Sequence, residues 1–400
     1  MTTRFANRMK LVKPSAIREF LRFGADPSII SFAGGYPDAT LFPLEELDEV
    51  FTRSILEHGR DTLQYTVSDG PPHLRAQIAA RMANEGVSCT QDNILVLQGG
   101  QQGLDLVAKL LVDKGDVIVT EDPTFLGALI AFNPCEPTYA CVGMDDEGMD
   151  TDALERVLRT NPGTKFIYTI PDFHNPTGVT MSLRRRHHLL ELANQYDVIV
   201  LEDGPYRETR FEGTSPPTIK SLDTEGRVIY LGSFSKILAP GLRLGWAVAS
   251  LDIIEQLGLL KLAADTQCST LNMAAVSLYL DSYDIESHIQ SIREVYRHKK
   301  ALMLDSIRDN FPDEVAFTDP HGGLFTWLTF PEAFDTDVFM RDHAFPEARV
   351  AYVPGASFFP RSAPPNFARM SFATQTDERI VAGISRLGAA IKSAVVTANV

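Results

Sequence analysis

From Ile94 onward the sequence alternates short apolar runs with stretches of helical spacing, and this alternation restricts the fold more than any other feature. The runs are Ile94 to Leu97, Val117 to Thr120, Lys165 to Thr169, Val198 to Glu202, Val228 to Leu231 and Gly245 to Ala249. Between most of them lie helical candidates: Gln102 to Val112, Phe125 to Phe132, Thr151 to Leu158 and Leu183 to Gln195. Uninterrupted apolar runs suit strands buried on both faces, and intervening helices supply the crossovers of a largely parallel sheet. At 400 residues the chain exceeds one hydrophobic core, so two domains are expected. Ser15 to Phe23, Leu44 to Glu57 and a stretch ending at Met82 read as earlier helices, and Asp252 to Leu280 and Tyr283 to Ile307 as a long helical region. From Val315 the pattern changes. Leu324 to Phe330, Ala351 to Val353 and Phe367 to Phe372 are strand-like and Asp377 to Ser393 is helical, so a smaller α+β domain follows.

In parallel α/β sheets, ligands sit beyond the carboxyl ends of the strands. Five of the loops at those ends carry chemistry. Gln98-Gly99-Gly100-Gln101 opens a helix whose free amides suit a phosphate. Glu121-Asp122-Pro123-Thr124-Phe125 puts an aromatic ring at the start of the next helix. His174-Asn175-Pro176-Thr177-Gly178 presents the Asn175 amide from a turn whose Asn-Pro bond can be cis. Asp203 and Tyr206 share one loop, and a carboxylate of this kind can hold a pyridinium proton. The last loop, Ser233-Phe234-Ser235-Lys236, is followed seven residues later by Arg243. A lysine at the end of a buried strand has its pKa lowered by desolvation, which makes its amine a nucleophile toward an aldehyde. Two serines and an arginine beside it can grip a phosphate. An imine-forming lysine with a phosphate cradle describes a pyridoxal 5′-phosphate site. Each loop alone also reads as an ordinary turn or core contact; five on one edge of one sheet do not.

Bulk properties remove other classes. A net charge of −15 argues against nucleic acid or an anionic membrane as partner. Cys89, Cys135, Cys141 and Cys268 form no CxxC pair, so neither a disulfide framework nor a zinc site is expected and a reducing cytoplasm fits. His174, His187 and His321 have no ligand-like spacing, and no metal site is expected from them. The N-terminus lacks a signal-like apolar stretch, and no run approaches membrane-spanning length. Gly34-Gly35 reads either as a place of close ligand approach or as a plain turn. Arg369 is a lone arginine in an otherwise apolar strand, where an arginine is usually paired or binds a carboxylate.

Taken together, Asn175-Pro176-Thr177-Gly178, Asp203-x-x-Tyr206, Ser233-x-Ser235-Lys236, Arg243 and Arg369 resemble a fold-type I aminotransferase of class I/II. Ser31-Phe32-Ala33-Gly34-Gly35, Leu63-Gln64-Tyr65, Gln101-Gln102-Gly103-Leu104-Asp105 and Arg210-Phe211-Glu212-Gly213 are similar to the branch with the 2-aminoadipate (LysN-type) and kynurenine aminotransferases and the MocR regulators. The resemblance implies a three-layer αβα domain with a mostly parallel mixed sheet at 46–295. It also implies an N-terminal arm at 1–45, belonging to the small domain, and a C-terminal small domain at 296–400. Lys236 would carry the cofactor and shuttle the substrate proton; Asp203 would hold the pyridine nitrogen, and Asn175 and Tyr206 the ring hydroxyl. Gly100, Gln101, Ser233, Ser235 and Arg243 would bind the phosphate, with Tyr65 reaching it from the partner of a homodimer. Phe125 would stack on the ring. Arg369, helped by Gly35 and Asn175, would take the substrate α-carboxylate, and Arg18 would meet an acidic side chain.

The implied activity is ping-pong transfer of an amino group between an L-amino acid (aromatic, aliphatic or 2-aminoadipate-like) and a 2-oxo acid such as 2-oxoglutarate. A lyase, decarboxylase or oxidase on the same site, or a MocR-type effector domain, is the alternative. The latter is disfavoured because the resemblance starts within the first twenty residues, leaving no winged helix. Departures from the family pattern are Phe125 for a common tyrosine, His174 for glutamine and Tyr36 for leucine. With Phe23, Tyr36 lies where the side-chain pocket is expected, which leaves specificity open.

Overall fold

The predicted alternation forms one eight-stranded sheet. The computed structural model describes residues 4–12, 26–361 and 363–398, so the helix expected at Ser15 to Phe23, with Arg18, lies outside the described residues. In chain order the strands are β1 (Ile30–Ser31), β2 (Ile94–Leu97), β3 (Val117–Asp122), β4 (Thr138–Asp145), β5 (Gly148–Met149), β6 (Phe166–Thr169) and β7 (Ile199–Asp203). They continue with β8 (Val228–Ser233), β9 (Gly245–Val248), β10 (Ala316–Phe317), β11 (Phe325–Thr329), β12 (Val350–Ala351), β13 (Val353–Pro354) and β14 (Phe367–Ser371). The large sheet has the order β2-β9-β8-β7-β6-β3-β4-β5. Strands β8, β7, β6, β3 and β4 run parallel, while β9 is antiparallel to both its neighbours, β2 and β8. That reversal leaves β2 pointing the same way as β8. The carboxyl ends of β2, β3, β6, β7 and β8 therefore share one edge.

Alternate residues of each central strand enter different cores, as the pleat requires. Ile118, Tyr168, Leu201 and Ile229 pack with Leu104 and Val107 of helix Gly100–Leu111 and with Ile254 and Leu257 of helix Leu251–Asp265. Val119, Ile167, Val200 and Val228 pack instead with Leu154 and Leu158 of helix Thr151–Thr160 and with Leu189 and Leu192 of helix Leu183–Tyr196. The result is the expected αβα sandwich. The long helical region is interrupted: Thr266 takes a left-handed φ of 64°, and Ser269 caps a new helix, Thr270–Ser282, by accepting from Asn272 N.

Strands β10, β11, β14 and β13 form a separate antiparallel sheet. Parallel pairing of β1 with β12 ties the N-terminal segment to this part of the chain. Helix Ile285–Asn310 runs unbroken across position 295; its Ile285 and Ile289 pack beside Ile94 and Val248 of the large sheet. Its Met303, Leu304 and Ile307 pack with Ile384 and Leu387 of the C-terminal helix Asp377–Ala398.

Candidate active site

The shared strand edge is lined by a cleft of about 310 Å³, open to solvent, into which Lys236 projects from the turn after β8. Lys236 Nζ donates to the carbonyl oxygen of Gly35 at 2.8 Å. Burial, with the nearby charges of Arg369 and Arg243 in support, brings its pKa down to about 8. Ser233 and Ser235 line the same cleft, and Ser235 N donates to Ser233 Oγ at 3.1 Å.

Opposite them, helix Gly100–Leu111 starts at Gly99, whose φ of 79° is left-handed. A Cβ on Gly99 would also lie 2.8 Å from Arg243 Nη2, so glycine is needed here on two counts. Arg243 is itself held by Nη2 donating to Gln98 O at 3.0 Å. Helix amides, two hydroxyls and a guanidinium therefore converge on one end of the cleft, a set of donors suited to a dianionic phosphate.

At the inner wall Asp203, the last residue of β7, is 4% exposed. Among the described residues its carboxylate accepts one side-chain hydrogen bond, from Tyr168 at 2.8 Å, and makes no ion pair. Burial raises its pKa to about 7 despite that bond. A buried carboxylate with no cation is costly, and a bound protonated ring nitrogen is the partner that this site calls for. Phe125, capping helix Leu126–Phe132, lies across the cleft; a Cβ at Gly127 would come within 2.4 Å of its ring, so glycine makes room for it.

On the remaining side, Asn175 joins two groups: its Nδ2 donates to Tyr206 Oη at 3.1 Å and its Oδ1 accepts from Arg369 Nη1 at 2.7 Å. The Asn175-Pro176 bond is cis. Arg369 reaches in from β14 of the small sheet. Its Nη2 donates to Ala33 O at 2.8 Å, and its guanidinium lies 4.2 Å from the Phe325 ring centroid and 4.9 Å from that of Phe358. Burial lowers its pKa to about 10, and its buried Nε has no hydrogen-bond partner among the described residues. A cation this dry, gripped by aromatic faces, is prepared for an incoming carboxylate.

The model of the family described as aminotransferase class I and II matches residues 32–387. The chain belongs to that family. It is 41% identical to an aromatic-amino-acid aminotransferase of Thermococcus litoralis, over 97% of this chain and 94% of the relative. It is 38% identical to a 2-aminoadipate transaminase of Thermus thermophilus, over 95% and 94%. The fold superposes on a Pyrococcus horikoshii kynurenine aminotransferase, solved with PMP, with a TM-score of 0.94 at 38% identity, covering 98% of this chain and 97% of that one. Like these aminotransferases the protein is a transaminase that uses pyridoxal 5′-phosphate, and the donors at the strand edge are of the chemical kind that cofactor needs.

Of the residues singled out from the sequence, Gly35, Gly100, Gln101, Phe125, Asn175, Asp203, Tyr206, Ser233, Ser235, Lys236, Arg243 and Arg369 all line the one cleft. Tyr65 does not: it is 81% exposed, on a loop where the neighbouring Thr66 N donates to Gln267. The Gly35 carbonyl oxygen accepts from Lys236 Nζ, and a Cβ on Gly35 would sit 2.9 Å from the Phe325 ring. The sequence reading missed Tyr168, whose one signal is a phenol in a fully buried strand, and the cleft walls Leu104, Ile170 and Pro205. It also missed Glu121, buried, which accepts from Thr169 Oγ1 at 2.6 Å and Ile170 N at 3.1 Å. His174 Nε2 lies 3.1 Å from Glu121 Oε2 without hydrogen-bond alignment, and its Nδ1 sits 2.9 Å from Thr177 Oγ1. No group of three or more potential metal ligands occurs among the described residues, and no described helix is long and apolar enough to cross a membrane.

Proposed function

We propose that the cleft transfers an amino group between an L-amino acid and a 2-oxo acid, with roles assigned as follows. Ser233, Ser235, Arg243 and the Gly100-Gln101 amides hold the cofactor phosphate, Asp203 keeps the ring nitrogen protonated, Asn175 and Tyr206 hold the ring oxygen, and Phe125 covers the ring. Bound pyridoxal 5′-phosphate supplies an electron sink for the substrate's α-carbon. Lys236 Nζ, with an amine held near neutral pH, removes and returns the α-proton. Arg369 orients the substrate by its carboxylate, and through Asn175 that grip is coupled to Tyr206. The observation that carries this reading is Asp203: a buried carboxylate lining the cleft, with no ion-pair partner among the described residues.

Aromatic and 2-aminoadipate-like amino acids are the proposed donors, following the relatives' names, with 2-oxoglutarate as acceptor in a ping-pong cycle. The acting species is a cytoplasmic homodimer in which Tyr65 serves the partner's phosphate site; its exposure is compatible with that use. The working division is an arm at 1–45, a cofactor domain at 46–295 and a small domain at 296–400, bridged by helix Ile285–Asn310. Hybrid dimers test the shared site. Pairing a Tyr65→Ala subunit with a Lys236→Ala subunit regenerates one intact site if Tyr65 acts in trans. Activity no higher than half that of the Tyr65→Ala homodimer, the value expected if Tyr65 served its own subunit's site, would reject the arrangement.

A further inference from the structure

Tyr168 stands in β6, between β3 and β7, in register with Leu201 of β7. Asp203 lies two residues beyond Leu201 and so on the same face of the sheet. That offset is about 6.6 Å at the usual strand rise, roughly the reach of a tyrosine side chain. The phenol closes the gap, donating to Asp203 Oδ2 at 2.8 Å. Both side chains are buried, and the Tyr168 ring is packed edge-on against Phe132 with centroids 5.4 Å apart. No other described side chain donates to Asp203. Glu121, also buried, opposes a second negative charge nearby.

From this geometry we infer that Tyr168 is a positioning residue for the cofactor: its hydroxyl fixes and stabilises the ionised Asp203 carboxylate, so that Asp203 can hold the protonated ring nitrogen. The inference rests on the assignment of Asp203 to that nitrogen. A carboxylate without this donor would be driven toward its neutral form by burial. A neutral carboxyl neither attracts a pyridinium nor keeps it protonated. Tyr168 touches no reacting atom; it acts through Asp203 alone.

The test is cofactor binding to the apoprotein, measured at equilibrium with pyridoxal 5′-phosphate and with the analogue in which carbon replaces the ring nitrogen. Tyr168→Phe keeps the ring and its packing on Phe132. It is expected to weaken pyridoxal 5′-phosphate by ~10–100-fold, the scale of one hydrogen bond to a charged group. The ring-nitrogen resonance of isotopically labelled cofactor should shift toward the unprotonated position, and affinity for the analogue should stay unchanged. Tyr168→Met, which also lacks a donor, serves if the first variant does not fold. Unchanged affinity and an unshifted nitrogen signal would overturn the inference. Equal losses for cofactor and analogue would overturn it too, by reducing Tyr168 to packing. Asp203→Asn separates the two levels: if it leaves the ring nitrogen protonated, the Asp203 assignment fails, whatever Tyr168 does.

Discussion

The amine of Lys236 should titrate far below an ordinary lysine, and the structure sets the size of the effect. Burial is the main cause, and the like charges of Arg369 and Arg243 add to it, taking the pKa from 10.5 to about 8. At pH 7.5 about a quarter of the amine is then neutral, against about one in a thousand for an unperturbed lysine. Only the neutral form is a nucleophile, so Lys236 should react on the order of a hundred times faster than an exposed lysine of equal intrinsic reactivity. Competitive labelling of the cofactor-free protein with trace acetic anhydride, read peptide by peptide, measures this directly, with the exposed Lys114 as internal reference. The labelling rate should rise about tenfold per pH unit up to a midpoint near 8 and then level. Arg369→Gln, removing one like charge, should move that midpoint upward. The linkage has a definite sign: the folded pKa lies below the unfolded one. The group's contribution to stability is therefore present above the unfolded pKa of 10.5 and is lost as the pH falls through about 8. A Lys236 profile with its midpoint at 10 or above, parallel to Lys114, would refute the reasoning.

Three further outcomes follow from the site and the core. Asp203→Asn should fold normally yet lower the transamination rate by roughly two orders of magnitude or more, the scale of losing a preorganised charge contact in a dry site; steady-state kinetics check it, and near-normal turnover would count against the assignment. Arg369→Leu should raise KM for both the amino acid and the 2-oxo acid by ~10–100-fold with a smaller effect on kcat, because it removes a charged hydrogen-bond donor; unaltered KM values would exclude Arg369 as the carboxylate site. Arg186→Met should destabilise the fold by ~3–5 kcal/mol in denaturant unfolding, since it leaves Asp172 buried with Arg207 as its one remaining ion-pair partner among the described residues; a loss under ~1 kcal/mol would contradict this.

The strand edge was legible because its signals are local. Each of Ile94–Leu97, Val117–Asp122, Phe166–Thr169, Ile199–Asp203 and Val228–Ser233 is an apolar run that ends in a polar or glycine-rich loop, and parallel topology then places those loops together. Strand Thr138–Asp145 was not read, because as the outer neighbour of β3 it mixes exposed and buried positions. The antiparallel insertion of Gly245–Val248 between β2 and β8 is a matter of strand order, which periodicity does not encode. The break at 266–269 depends on one left-handed threonine and a serine cap, and the surrounding apolar spacing conceals both. Tyr168 escaped notice for a related reason, since in a buried strand a tyrosine reads as a propensity choice until its partner on the next strand is known, and Glu121 because the strand extends past Thr120 and takes in a residue expected in the loop. Arg369 was found because an arginine has no apolar reading.

The central claim, that the cleft performs a pyridoxal-phosphate half-transamination, is tested most directly by the visible absorption of the purified protein as amino acids are added without any oxo acid. The account predicts that an aromatic or 2-aminoadipate-like donor converts the bound pyridoxal form to the pyridoxamine form, releasing one 2-oxo acid per site, and that 2-oxoglutarate reverses the change. Donor consumed with release of carbon dioxide or ammonia while the cofactor stays in its aldehyde form would contradict it.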